Sequence, residues 1–155
     1  MKKSLIAALA LTSVVACGTA FAADTFSGPS TSERLTAARK AIEAKDWSKA
    51  RTELDAALRE DPRNADVHNL LGYSYRKRAN PDLPKAFEHY NTALKLNPNH
   101  KGAHEYIGEA YLMDKKPAEA EKHLAALEKI CGNKTCEEYE DLAKSIAAYK
   151  AANKP

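Results

Sequence analysis

The sequence predicts an all-α chain in which one helical hairpin is written three times and closed by a further helix. Two observations predict it. First, "DPRNADVHNLLGYSY" at residues 61–75 returns as "NPNHKGAHEYIGEAY" at 97–111, with Pro62/Pro98, His68/His104, Gly72/Gly108 and Tyr75/Tyr111 in register 36 residues apart. Periods of about 20 to 50 residues mark stacked repeat architectures. Second, "DWSKARTELDAALREDP" (46–62), "DLPKAFEHYNTALKLNP" (82–98) and "KKPAEAEKHLAALEKIC" (115–131) align on Ala50/Ala86/Ala120, Leu54/Tyr90/Leu124 and Ala57/Ala93/Leu127. Steps of four and three keep these positions on one face of a helix, so each copy contributes an amphipathic second helix, B, to its hairpin.

The opening stretch, "MKKSLIAALALTSVVACGTAFAAD", carries two lysines, an apolar run from Leu5 to about Ala16, and small residues ending in Ala20-Phe21-Ala22. That is the pattern of a secretory signal, with cleavage expected after Ala22 and residues 23–30 left as a linker. Within it, Val14-Val15-Ala16-Cys17 resembles a bacterial lipobox, in which Cys17 would become the lipidated first residue. The two routes lead to the periplasm or to a lipoprotein anchored to the outer membrane. The chain has 24 basic and 21 acidic residues, and loss of Lys2 and Lys3 brings them almost into balance. A nucleic-acid binder needs a strongly basic patch or stripe, so nucleic acid is not an expected partner. No later apolar run is long enough to span a membrane.

Three hairpins follow, over 31–64, 65–100 and 101–134. Ser30-Thr31-Ser32-Glu33 has the spacing of a capping box, and Asp46 can cap a helix beginning at Trp47. In the second hairpin Val67, Leu70, Leu71 and Tyr75 recur at three and four, giving an amphipathic first helix, A. Pro62 and Pro98 end the B helices, because proline cannot continue the hydrogen-bond ladder. Pro117 suits the first turn of the last B helix. Gly72 and Gly108 fall inside A helices, where glycine costs about 1 kcal/mol relative to alanine. Close approach of the facing helix at Ala86 and Ala120 is the expected compensation. Over 135–152, Tyr139, Leu142, Ile146 and Tyr149 recur at three, four and three, as in an amphipathic helix laid over the end of the stack. After export, Cys131 and Cys136 form the remaining thiol pair in an oxidising compartment, and a disulfide between them is expected to staple that cap.

On these residues the chain resembles the tetratricopeptide repeat family, whose 34-residue helix-turn-helix unit has large residues at positions 4, 7 and 11, Gly or Ala at 8, Ala at 20, a large residue at 24, Ala at 27 and Pro at 32. The turn "RANPDLP" adds two residues to the second unit and accounts for the 36-residue separation. Departures fall at the edges: Arg34 and Ala38 stand at positions 4 and 8 of the first unit, and Leu127 and Gly132 at positions 27 and 32 of the third. Terminal units of a stack face a different neighbour or none. The resemblance implies a right-handed superhelix of three units with a capping helix.

It also implies a concave groove lined by A helices, where partner peptides lie. Carried over by register, the groove holds Leu35, Arg39 and Ile42 from the first unit. The second gives Asp66, Asn69, Tyr73, Arg76 and Lys77, and the third Glu105, Glu109, Leu112 and Met113. Arg76-Lys77-Arg78 also reads simply as cations complementing a helix C-terminus. The lysine and asparagine with which related chaperone-binding domains clamp a carboxylate are replaced by Leu35 and Arg39, so no clamp is carried over. His68 and His104 occupy position 4 and read as packing residues, and His89 and His123 as surface residues of the hairpin. No metal or cofactor is expected. Without a Ser/His/Asp or Cys/His arrangement or a glycine-rich phosphate loop, an enzyme is not expected either. The sequence therefore points to an exported adaptor that binds a protein segment in the cell envelope. The alternatives are redox or metal handling by Cys131 and Cys136, and self-association through the ends of the stack.

Overall fold

The computed structural model describes residues 28–154. The signal segment, Cys17 and most of the linker lie outside the described residues. Seven helices follow in order: α1 (Thr31–Glu43), α2 (Trp47–Glu60), α3 (Ala65–Lys77), α4 (Leu83–Leu96), α5 (Lys101–Met113), α6 (Pro117–Cys131) and α7 (Glu137–Ala152), with no strand among the described residues. They pair as α1/α2, α3/α4 and α5/α6, and α7 packs on both helices of the last pair.

Local chemistry starts and stops these helices. The Ser30 capping box is complete: the Glu33 N–H donates to Ser30 Oγ at 3.3 Å, and Glu33 Oε2 accepts from the Ser30 N–H at 2.8 Å. Asp46 and Asp82 open α2 and α4 alike, accepting from the N–H groups of Lys49 and Lys85. Asn64 caps α3, and His100 caps α5 by accepting from the Ala103 N–H on Nδ1 at 3.1 Å. Pro117 occupies the first turn of α6, which has no side-chain cap. Helices α2 and α4 stop two residues before Pro62 and Pro98. In the first and third hairpins the A-to-B turn passes through Lys45 and Lys115 at φ of 57° and 58°. The longer second turn uses no residue of positive φ.

Packing forms three apolar clusters, each built across a hairpin boundary. Leu35 and Ala38 of α1 and Leu54 and Ala57 of α2 close on Val67, Leu70 and Leu71 of α3. Tyr75, Ala86 and Tyr90 close on Ile107 and Ala110 of α5. Leu112, Ala120 and Leu127 close on Leu142 and Ile146 of α7. The last helix thus takes the place that a fourth A helix would occupy. Cys131 and Cys136 sit at its joint, with sulfurs at bonding distance, Cα atoms 6.2 Å apart, and Gly132 at a φ of 71° ending α6. No described helix is long and apolar enough to cross a membrane.

The helix glycines are compensated differently from the sequence expectation. A Cβ on Gly72 would stand 2.6 Å from the Tyr90 ring, and one on Gly108 would stand 2.7 Å from Leu142 of α7. The space is filled by large side chains from a facing helix, Tyr90 of α4 at Gly72 and Leu142 of the cap at Gly108. Because Tyr90 is fully buried and its ring is stiff, Gly72→Ala is expected to lower stability by about 1 to 3 kcal/mol through overpacking, against the helix-propensity gain of about 1 kcal/mol. Urea unfolding measures this, and unchanged or increased stability would refute the packing argument.

Candidate functional site

Helices α1, α3 and α5 present a shared face on which aromatic rings are only partly covered. The rings of Tyr73 and Tyr106 lie 4.8 Å apart between centroids at 50°, and Trp47 stands 6.3 Å from Tyr73. Arg39, Ile42, Glu43, Leu70, Tyr73 and Tyr106 line a cleft of about 200 Å³ beside them. Arg39 is exposed and reaches Asp66 at 3.7 Å, and Asp66 also accepts from His100 Nε2 at 2.9 Å. Lys77 is exposed with its ammonium 5.9 Å from the Tyr73 ring centroid, and Met113 is 44% exposed at the end of α5.

Beneath the tyrosines lies Arg76, only 5% exposed. Its guanidinium stands 5.3 Å and 5.7 Å from the centroids of Tyr73 and Tyr106, within cation–π reach. It pairs with Glu109 at 2.5 Å, and its Nε donates to the Tyr90 hydroxyl at 3.3 Å. Glu109 also accepts from Ser145 of α7 at 3.2 Å. One guanidinium therefore ties α3 to α4 and α5, and through Glu109 to α7. This corrects the reading of Arg76 as a solvated cation at a helix end, because the position-12 side chain turns inward where two phenol rings and a carboxylate receive it.

Toward α7 the face becomes acidic. Glu105 lies near Glu109, Asp141 and Glu138, and burial first, then those charges, push its carboxyl up to about 8, against the opposing pull of Arg76. Burial likewise pushes the Tyr106 phenol up to about 12, with Glu105 adding to the effect.

The register placed the groove residues with mixed success. Arg39, Tyr73, Lys77, Glu105 and Met113 reach the face, and Glu109 reaches it while paired. Leu35, Asn69 and Leu112 are interior: Leu35 joins the first core cluster, Leu112 is covered by α7, and Asn69 is 6% exposed. Tyr106, Glu138 and Asp141 were missed. The Tyr73–Tyr106 contact depends on how α3 and α5 stack, and the two acids belong to α7, which the register does not cover.

The histidines need a larger correction. His89 and His123 are not surface residues but half-buried partners of His68 and His104. Nδ1 of His68 lies 3.1 Å from Nδ1 of His89, and Nδ1 of His104 lies 2.9 Å from Nδ1 of His123. On the far side, Nε2 of His68 and His104 reaches the carbonyl oxygens of Pro62 at 3.1 Å and Pro98 at 3.0 Å. A carbonyl only accepts, so each Nε2 carries the hydrogen and each inner Nδ1 offers a lone pair. Tyr75 and Tyr111 stack on the outer rings of His89 and His123. Burial and the neighbouring imidazole hold His89 below the usual histidine range, and the same causes take His123 down to about 4. A repeat-wise alignment of the histidines shows that both recur one hairpin apart, and only the packed hairpin shows that they meet.

Cys131, Cys136 and Glu138 place three potential ligand atoms within 4.8 Å of one another. Two of the three are the sulfurs that stand at bonding distance of each other, and a sulfur–sulfur bond there would leave no thiolate for a metal.

The fold agrees with what known proteins show. The family model described as tetratricopeptide repeat matches residues 35–92 and 79–134. No curated protein sequence matches the chain. Among solved structures, the chain is similar to the TPR2B domain of yeast Sti1, described as a complex with pHsp70, at a TM-score of 0.69 and 16% identity over 79% of this chain and 98% of that one. It is also similar to SycD, the type III secretion translocator chaperone of Yersinia enterocolitica, at 0.66 and 16% identity over 83% and 95%. At these identities the likeness concerns the fold.

Two measurements probe the polar layer. Arg76→Met leaves Glu109 without its cation in a mostly dry site, and the expected loss is about 3 kcal/mol in chemical unfolding. Arg76→Met with Glu109→Gln should recover part of that loss, and a double variant no better than the single would show the pair to be uncoupled. For Glu105, a folded pKa of about 8 lies above the ordinary value of 4.5. The folded state then keeps a proton that the unfolded chain releases, so this group's contribution is most favourable below pH 4.5 and is lost as pH rises toward 8. Glu105→Gln is expected to flatten stability across that window, measured by unfolding at stepped pH, and an unchanged slope would contradict the assignment.

Proposed function

The chain belongs to the tetratricopeptide repeat family, and from that premise we propose that it is an exported adaptor of the bacterial cell envelope that binds a protein segment on the α1/α3/α5 face. One observation carries this reading: each hairpin's apolar interior is closed by the next helix, while Tyr73 and Tyr106 remain partly open beside a cleft with charged ends. Half-covered aromatics with polar handles supply contact area at low entropic cost. Arg39 and Lys77 offer cations near one end, and Glu138 and Asp141 offer carboxylates toward the other, with Glu105 held protonated beside them. An extended segment with an apolar side chain for the cleft and opposite charges at its ends fits this layout.

Export rests on the signal pattern of residues 1–22, with either periplasmic release or lipid anchoring through Cys17. Cys131 and Cys136, already at bonding distance, would be oxidised there and hold α7 to α6. The work is recognition without covalent chemistry.

The test places a photo-crosslinking side chain at Tyr73, with a control at exposed Lys95 on α4, and identifies adducts from living cells by mass spectrometry. One envelope protein trapped at Tyr73 and absent at Lys95 is the expected outcome. Equal or empty labelling at both positions would end the proposal.

A further inference from the structure

We infer that Arg51, Arg78 and Lys85 form a binding site for a phosphate group that carries close to two negative charges at neutral pH, outside the α1/α3/α5 face. Three elements bring these cations to one ring. Arg51 comes from α2, Arg78 from the C-cap of α3 and Lys85 from the first turn of α4, and their charges stand 5.1, 5.5 and 5.3 Å from the centroid of Tyr75. Cations gathered in this way repel one another, and attraction to a single ring offsets little of that where they meet water. Asp82 pairs with Arg78 at 3.3 Å, and Asp55 and Glu88 lie toward His89. Among the described residues neither Arg51 nor Lys85 has an ion pair. The Nε of Arg51 is buried without a hydrogen-bond acceptor.

The repeat supplies an internal comparison. One unit further on, Tyr111 stands in the place of Tyr75 and stacks on His123 as Tyr75 stacks on His89. The positions of Arg51, Arg78 and Lys85 are taken there by Phe87, Asp114 and Glu119, and the Phe87 ring packs on Tyr111 at 4.7 Å. The same packing is therefore met by an apolar ring and two acids. Positive charge at Tyr75 is not a demand of the stack.

The chemistry of the donors selects the anion. Guanidinium groups match phosphate oxygens two at a time, and an ammonium adds a compact point charge. Cations approaching from three elements suit a tetrahedral dianion better than a carboxylate with two oxygens and one charge. A polar cleft of about 260 Å³, lined by Ser48, Arg51, Thr52 and Asp55, leaves room for the group that bears the phosphate. Asp55 repels the anion itself from that wall and keeps it on the Tyr75 side of Arg51. Lys85 is exposed and Arg78 partly so, which leaves both side chains able to turn toward a ligand.

Titration of the purified chain with inorganic phosphate at low salt tests this, followed by calorimetry and by the histidine ring resonances in nuclear magnetic resonance. The expected result is one phosphate per chain, with the His89 resonances shifting and those of His123 staying in place. Arg51→Gln and Lys85→Gln should each weaken binding by about tenfold, the loss of one charge-assisted contact, and Lys95→Gln should leave it unchanged. Vesicles of phosphatidic acid form a second arm. Their retention of the wild type but not of the two variants identifies a lipid headgroup as the source of the phosphate, whereas phosphate binding without retention identifies a soluble phosphoester. The wild-type spectrum decides independently of how any variant folds: no shift at His89, or equal shifts at His89 and His123, overturns the inference. Acetate bound as well as phosphate, or phosphate binding unaffected by both variants, overturns it as well.

Discussion

No hairpin of this protein can cover its own apolar face, and the architecture follows from that single constraint. Each core cluster takes two helices from one hairpin and a third from whatever comes next. The third hairpin has no successor, so α7 stands in, and Leu142 and Ile146 occupy the interior where another A helix would place its large residues. Gly108 shows how closely this substitution is built, since the room left by its missing side chain is taken by Leu142 of α7. The cap is part of the repeat's own packing logic, and Cys131 and Cys136 stand at bonding distance where α6 meets it.

The same stacking that closes the core decides which polar groups go inside. Arg76 lies at the level where α3, α4, α5 and α7 converge, and a lone guanidinium there would be costly. Glu109 supplies the opposite charge, Tyr90 accepts from Nε, and Tyr73 and Tyr106 offer ring faces. A buried ion pair of this kind is weak evidence for stability, because desolvation offsets much of the attraction. Its effect here is positional: it holds the rings of the open face from below and links that face to the cap. Glu105, half-buried among Glu109, Glu138 and Asp141, holds its proton well above the usual carboxylate range.

The histidine pairs are a second product of periodicity. An A-helix histidine and a B-helix histidine in one unit meet across the hairpin, and because the unit is repeated the meeting is repeated, down to the prolyl carbonyl that orients each inner ring. These bridges join Arg76, Asn69 and Ser74 as polar groups that the stack buries beside its alanines and leucines.

Helix positions, caps, hairpin count and the covering helix were legible in the sequence, because they depend on interactions within three or four residues or on a period that recurs. Ser30, Asp46, Pro62 and Pro98 act locally, and Leu54/Tyr90/Leu124 mark one face wherever the chain goes. Tyr73 and Lys77 could be placed on the open face by register alone. The inward turn of Arg76, the burial of Asn69 and Leu112, the contribution of Tyr106 and the α7 acids, and the pairing of His89 and His123 could not. Those depend on distances between residues 14 or more positions apart on different helices, set by side-chain volumes at their contacts. Periodicity determines which face a residue shares, and only the packed stack determines what stands opposite it.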